Sequence, residues 1–414
     1  MAATGNVERI VVVGTGECGA RVARELRERG FAGAITMIGD EPHTTYERPP
    51  LSKSALISDE ISPVEVLPVA RLAEFDVELM SGTAVESLDR DRMLAVLSDG
   101  GEVPYDRLLL ATGARARTLP IAGGEFALTL RTIDDARALR AQLGPGRSVT
   151  VIGAGLIGLE VAASARQLGC DVTVLEVAPR ALGRALPAEM ADVLVKRHAE
   201  EGVEVLCGVL PTGISRLDGG LAVGVEGFDQ PITADVVIAG IGVTPNVELA
   251  QAAGLRCENG IAVNDRLRTD DPAIFAAGDC CSFPHPLYGG RRIRLESWRN
   301  AHDQAAVAAA NMLDGDEQHA AVPWFWSDQY DLGLQHAGLA DEAASAVVRD
   351  SGNGSQIRFA LALDGRLVAA SGVGPGTSTA KDIRVAEMLI AAGNRPDPEV
   401  VADASVPLKE LIKS

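Results

Sequence analysis

A glycine-rich turn between an apolar strand and an amphipathic helix occurs twice in this chain, once from Gly14 and again from Gly153, 139 residues on. That repetition constrains the fold more than any other feature. Residues 9–40, RIVVVGTGECGARVARELRERGFAGAITMIGD, and 147–176, RSVTVIGAGLIGLEVAASARQLGCDVTVLE, each read as buried strand, glycine turn, helix and second strand. In Gly14-x-Gly16-x-x-Gly19 and Gly153-x-Gly155-x-x-Gly158 the first glycine permits the tight turn. The second lets backbone approach a pyrophosphate, and the third lets helix pack on strand. The helix that follows offers its free N–H groups to the anion. An acid closes each second strand where it can accept from a ribose hydroxyl: Asp40 and Glu41 in the first copy, Glu176 in the second. Glu176 predicts NAD rather than NADP, because a carboxylate repels a 2′-phosphate. Arg180 and Arg184 fit either a place along the diphosphate or an ordinary solvated surface. Two dinucleotide sites in one chain suggest a flavin and a nicotinamide serving one reaction.

The rest of the sequence narrows the class. A length of 414 residues predicts two to three domains at about 150 residues each. With 38 Lys+Arg against 57 Asp+Glu, the net charge of −19 argues against sequence-independent binding of nucleic acid and against adsorption to an anionic membrane. No run of 18 apolar residues is present, so no membrane span is expected. MAATGNVERI runs into the first strand without a charged leader and apolar stretch, and the six cysteines (18, 170, 207, 257, 280 and 281) form no CxxC. Reduced thiols, no metal site and a cytoplasmic location are the expectation. From about residue 324 the character changes to PWFWSDQY and alternating segments such as IRFALAL and RLVAAS, which predict a separate, partly β domain.

GTGECG, GDEPHTTYERPPLSK, LLLATGA, VIGAGLIGLEVAA, VVIAGIGVTPN, IFAAGDC, RLESWRNA, PWFWSDQY and SVPLKE stand in this order along essentially the whole chain. In them the sequence resembles the FAD-dependent NADH:ferredoxin reductases of bacterial oxygenase systems, which have a glutathione-reductase-like fold. The resemblance implies an α/β chain with two Rossmann-like dinucleotide-binding domains and a smaller α+β C-terminal domain. A discontinuous FAD-binding domain would take 6–115 and 247–323, an NAD-binding domain 116–246, and the C-terminal domain 324–414.

The same resemblance implies the site residues. FAD contacts would come from Gly14, Gly16, Cys18, Gly19, Asp40, Glu41, Arg48, Lys53, Val85, Ala111, Thr112, Gly113, Arg131, Gly278, Asp279, Glu296, Ser297, Trp298 and Trp326, with Trp324 as a further packing candidate. NAD contacts would come from Gly153, Gly155, Leu156, Ile157, Gly158, Glu160, Glu176, Arg184 and Gly242. Asp279 matches the aspartate that binds the ribityl hydroxyls. Lys53 matches the lysine beside flavin N5, paired with Glu160, and these two are the expected catalytic pair. A helix starting near Trp298 would aim its N-terminal dipole at the flavin's pyrimidine edge.

No cysteine lies between Cys18 and Cys170, where an internal redox disulfide would sit, so the electron acceptor is expected to be external. A 2Fe–2S ferredoxin serving a cytochrome P450 or a Rieske oxygenase is the leading expectation. A rubredoxin, a quinone or oxygen is the alternative acceptor. A flavoprotein of this superfamily that signals or binds nucleic acid is the reading the negative charge disfavours. Against an acidic background, Arg291, Arg292, Arg294, Arg299, Lys381, Arg384 and Lys409 are candidate docking cations for an acidic partner.

Overall fold

The computed structural model describes residues 7–412. Residues 1–6, where no export leader is expected, and 413–414 lie outside the described residues. The chain divides into two units. One takes the residues up to Glu47, then Pro63–Arg115 and Thr244–Ala321; the other takes Arg48–Ser62, Ala116–Val243 and everything from Val322.

The first unit opens with β1 (Arg9–Val13), α1 (Glu17–Glu28) and β2 (Ala34–Gly39), followed by β3 (Val77–Ser81) and β4 (Arg107–Leu110). The chain then builds β5 (Ser148–Ile152), α2 (Leu156–Gln167), β6 (Asp171–Glu176), α3 (Ala188–Glu200), β7 (Glu204–Cys207) and β8 (Val236–Ala239) in the second unit. It returns to the first for β9 (Ile274–Ala276) and α4 (Trp298–Met312). The second unit finishes with β10 (Trp324–Gln329), β11 (Leu332–Gly338), β12 (Ser345–Asp350), β13 (Gln356–Leu361), β14 (Leu367–Pro375) and α5 (Ala380–Ala391).

In the first unit β9-β4-β1-β2-β3 form a wholly parallel sheet. All but the edge strand β3 are nearly continuous apolar runs, as strands buried on both faces are. On one face α1 buries Cys18, Val22 and Leu26, and α4 packs beside it through Ala301, Ala305, Ala308 and Ala309. These small side chains let the two helices approach closely. The order of the sheet reverses at β1, and a parallel sheet binds ligands beyond the strand ends at such a switch point.

The second unit repeats the plan with the parallel order β7-β6-β5-β8, and the switch falls at β5. It also holds an antiparallel sheet, β10-β11-β14-β13-β12, covered by α5 through Ile383, Ala386, Leu389 and Ile390. Residues 48–62 lie in sequence among first-unit segments yet pack in the second. There Pro49 and Pro50 start a short 3₁₀ turn, their fixed φ suiting its first positions. No helix among the described residues is long and apolar enough to cross a membrane.

Candidate functional site

Both glycine turns are built so that only glycine fits two of their three positions. Gly14 has φ +113°, and a Cβ there would fall 2.1 Å from the Ala111 carbonyl oxygen; one on Gly19 would fall 2.0 Å from the Gly14 carbonyl oxygen. Gly16 between them faces open space, with nothing within 4 Å of where a Cβ would be. The second turn repeats this: Gly153 (φ +108°) against the Gly240 carbonyl at 2.5 Å, Gly158 against the Gly153 carbonyl at 2.0 Å, and Gly155 open. No side chain caps α1 or α2, so their first N–H groups face the same open space. A packed glycine, an open glycine and an uncapped helix start together make a cradle fitted to a diphosphate.

Asp40 is exposed just past β2, and Glu41 accepts the Tyr46 hydroxyl. Ala111, Thr112 and Gly113 follow β4, where Thr112 Oγ1 donates to the Asn246 carbonyl (2.7 Å) and Asn246 Nδ2 donates back to the Thr112 carbonyl (2.9 Å). Val85 is half-buried at the start of the strand Val85–Asp89. Gly278, at φ +82°, donates its N–H to Gln304 Oε1 (2.7 Å) and packs against Cys18. Asp279 follows, half-buried. Ser297 caps α4 by accepting the Asn300 N–H (3.2 Å), and Trp298 opens that helix. Glu296 is exposed and paired with Arg294 at 2.6 Å. Burial pushes the thiols of Cys18, Cys280 and Cys281 up, which makes them poor nucleophiles.

Four residues expected at the flavin, Arg48, Lys53, Arg131 and Trp326, belong to the second unit. Arg48 Nη1 donates to the Arg131 carbonyl at 2.6 Å. Lys53 Nζ lies 3.1 Å from Glu160 Oε1, its side chain 20% exposed and that of Glu160 2%. The same ammonium stands 5.7 Å from the Trp326 ring centroid, and Trp326 stacks on Trp324 with centroids 5.4 Å apart. Glu160 projects from α2 and takes two further donors, Ser52 Oγ on Oε2 (2.5 Å) and Ser327 Oγ on Oε1 (2.6 Å). A carboxylate this deeply buried needs such a complement of donors.

Around the second cradle, Leu156 and the exposed Ile157 form the first turn of α2. Glu176 Oε2 accepts the Ala154 N–H (2.7 Å) and Oε1 the Ala178 N–H (2.8 Å), tying the acid to the glycine turn. Arg184 and Gly242 are both exposed, with the guanidinium 4.0 Å from where a Gly242 Cβ would sit. Arg180 Nη2 donates to the Gly183 (3.1 Å) and Leu186 (3.0 Å) carbonyls of its own loop.

The docking cations separate in the same way. Arg292 donates to the Val263 and Ser282 carbonyls, Arg294 is held by Glu296, and Arg299 pairs with Asp303 at 2.9 Å. Arg291, Lys381, Arg384 and Lys409 are exposed, Arg384 with its guanidinium paired to Glu387 at 2.6 Å.

Several groups at these sites escaped the sequence reading. In the first unit Glu17 Oε1 meets His302 Nδ1 at 3.0 Å, and His302 stacks on Trp298. The i, i+4 spacing of Trp298 and His302 marks a shared helix face, but the partner in α1 has no sequence signal. In the second unit Ser327 and Gln329 alternate with Trp326 and Asp328 along β10, so polar residues occupy its buried face. That alternation was the available signal.

Comparison with known proteins agrees with this geometry. Residues 8–305 match the family model described as pyridine nucleotide-disulphide oxidoreductase, and 324–412 match the one described as reductase C-terminal. The ferredoxin--NAD(+) reductase component of the anthranilate 1,2-dioxygenase system of Burkholderia cepacia is 47% identical over 98% of this chain and 100% of its own. Putidaredoxin reductase of Pseudomonas putida is 38% identical over 98% and 97%. Among solved structures, the ferredoxin reductase for the CYP199A2 system of Rhodopseudomonas palustris superposes with a TM-score of 0.92 at 36% identity, covering 97% of this chain and 99% of that one. The covalent putidaredoxin reductase–putidaredoxin complex gives 0.91 at 38%, covering 99% of each. Two packed glycine cradles, a buried Lys–Glu pair and a matched C-terminal domain make this chain a member of the pyridine nucleotide-disulphide oxidoreductase family, in its ferredoxin reductase branch.

Proposed function

We propose that this chain is an NADH-dependent flavoprotein reductase that takes hydride from NADH onto FAD and passes electrons singly to a 2Fe–2S ferredoxin supplying a cytochrome P450 or Rieske-type oxygenase. The observation that carries this reading is the pairing of two diphosphate cradles with the buried Lys53–Glu160 ion pair, in a chain with no cysteine between 18 and 170. FAD, when bound, accepts two electrons together and releases them one at a time, the step a one-electron carrier requires.

The chain's own residues supply the rest. The Gly16 turn and the start of α1 would hold the FAD diphosphate, with Asp279 taking ribityl hydroxyls; the Gly155 turn and α2 would hold that of NADH. Lys53 places a positive charge that favours arriving electron density, and Glu160 keeps the ammonium paired while it is half-withdrawn from water. Ser297 fixes the start of α4, whose dipole favours negative charge at its N-terminus. Glu176 accepts one backbone N–H on each oxygen and retains lone pairs for ribose hydroxyls, which supports NADH over NADPH. Six free thiols suit the reducing environment of the cytoplasm.

Anaerobic stopped-flow mixing with NADH, followed by cytochrome c reduction with purified 2Fe–2S ferredoxin, rubredoxin, quinone or oxygen as acceptor, tests the proposal. Rapid flavin bleaching by NADH and a ferredoxin-dependent signal are expected. Turnover with rubredoxin or oxygen and none with 2Fe–2S ferredoxins would refute the acceptor; a higher kcat/KM for NADPH would refute the donor.

A further inference from the structure

The Lys53–Glu160 pair is the inner end of a longer buried chain that lies entirely in the second unit. Ser327 Oγ stands 2.6 Å from Glu160 Oε1, Gln329 Nε2 3.0 Å from Ser327 Oγ, His198 Nε2 2.9 Å from Gln329 Oε1, and the Tyr330 hydroxyl 3.4 Å from His198 Nδ1. Ser327, Gln329 and His198 are each at most 1% exposed, out of reach of bulk solvent.

Donor and acceptor chemistry allows this chain one direction. A carboxylate only accepts, so Ser327 spends its hydroxyl proton on Glu160. Its oxygen must then accept, which turns the Gln329 amide nitrogen toward it and the amide oxygen toward His198. His198 must therefore carry its proton on Nε2, leaving the Nδ1 lone pair to the Tyr330 hydroxyl. Burial lowers the imidazole's proton affinity, consistent with a neutral ring having one N–H. If His198 carried its proton on Nδ1 instead, the amide would turn over and the Ser327 hydroxyl would point at Gln329. Two lone pairs would then face each other across the 2.6 Å gap at Glu160.

We infer that Ser327, Gln329 and His198 are positioning residues for the Lys53–Glu160 pair: a one-way hydrogen-bond chain, anchored in α3, that locks the Glu160 carboxylate in the orientation Lys53 needs. This rests on the role proposed above for that pair. The terminal torsion of a glutamate is broad, so a carboxylate held on one oxygen can swing. Ser52 on Oε2 and Ser327 on Oε1 hold both. The charge on Glu160 is thereby expressed as a tautomer at a histidine three residues along the chain of contacts.

Two measurements on the FAD-loaded protein test this. Nitrogen-15 NMR with labelled histidine, six residues in all, should show His198 neutral and protonated on Nε2, and Glu160→Gln, which gives the inner end a donor, should abolish that preference. In anaerobic stopped-flow, Ser327→Ala should slow limiting flavin reduction by NADH about ten-fold with NADH affinity unchanged, while Ser327→Thr, which keeps the hydroxyl, restores it. Wild-type His198 protonated on Nδ1, or a Ser327→Ala rate equal to wild type while Lys53→Met is slow, overturns the inference. An unchanged rate in Lys53→Met would instead overturn the parent role of the pair.

Discussion

Replacing Lys53 by methionine keeps the aliphatic stem and deletes the charge facing Glu160. The two charged atoms are 3.1 Å apart, and the carboxylate side chain is only 2% exposed. With an effective dielectric of about 20, their attraction is about 5 kcal/mol. Part of this is offset because the lost ammonium no longer forgoes hydration, and Ser52 and Ser327 remain as donors to the stranded carboxylate. The net cost should be about 3 kcal/mol, the lower end of what breaking a buried pair costs. In a unit of this size that lowers the melting temperature by roughly 6–12 °C. Thermal melts of the FAD-loaded wild type, Lys53→Met, Glu160→Gln and the double variant isolate the pair, with an expected coupling of about 2–3 kcal/mol. The same Lys53→Met protein should reduce its flavin about a hundred-fold more slowly with NADH. A melt within about 1 °C of wild type, together with additive single variants, would show that the two groups do not interact and remove the basis for the catalytic assignment.

Three further outcomes follow from the geometry. Gly155→Ala should leave the melting temperature unchanged, because its Cβ meets nothing, and yet raise KM for NADH; Gly158→Ala, whose Cβ falls 2.0 Å from a carbonyl oxygen, should destabilise the second unit outright. Burial lowers the His336 pKa to about 4 and that of His319 to about 3, so below pH 6.5 the unfolded chain binds protons that the fold refuses. Stability in urea should therefore be full above pH 6.5 and fall as pH drops toward 4, by up to about 1.4 kcal/mol per pH unit for each histidine, and His336→Gln should flatten the slope. Finally, raising ionic strength should change the apparent KM for ferredoxin through Lys381, Arg384 and Lys409 while leaving the rate of flavin reduction by NADH unaltered; a salt-independent KM would exclude electrostatic docking.

Much of the fold was legible because it rests on local rules. Gly14 and Gly153 announce turns that need positive φ, and the apolar runs before them announce strands covered on both faces. The start of α4 at Trp298 was readable from Ser297, a hydroxyl at the N-cap position. What escaped depends on contacts between distant segments. Residues 48–62 carry no mark of the unit they pack in, and Arg292 looks like a surface cation until the Val263 and Ser282 carbonyls that bind it are placed alongside. Ser52, Ser327 and His198 meet Glu160 or its neighbours across more than 100 residues of sequence, beyond the reach of any periodicity.

The strand β10 carries two different cargoes on its two faces, stacked indoles on one and the hydroxyl and amide that reach Glu160 on the other. Its register is set by pairing Trp326 with Gln335 and Ser327 with Leu334, across a turn of only two residues, Tyr330 and Asp331. Since side chains alternate strictly along a strand, a slip of one position would turn both tryptophans inward and both polar groups outward at once. This segment should therefore tolerate no insertion or deletion. Among ferredoxin reductases of this build, length variation should collect at loops such as 351–355 and stop short of the Tyr330–Asp331 turn.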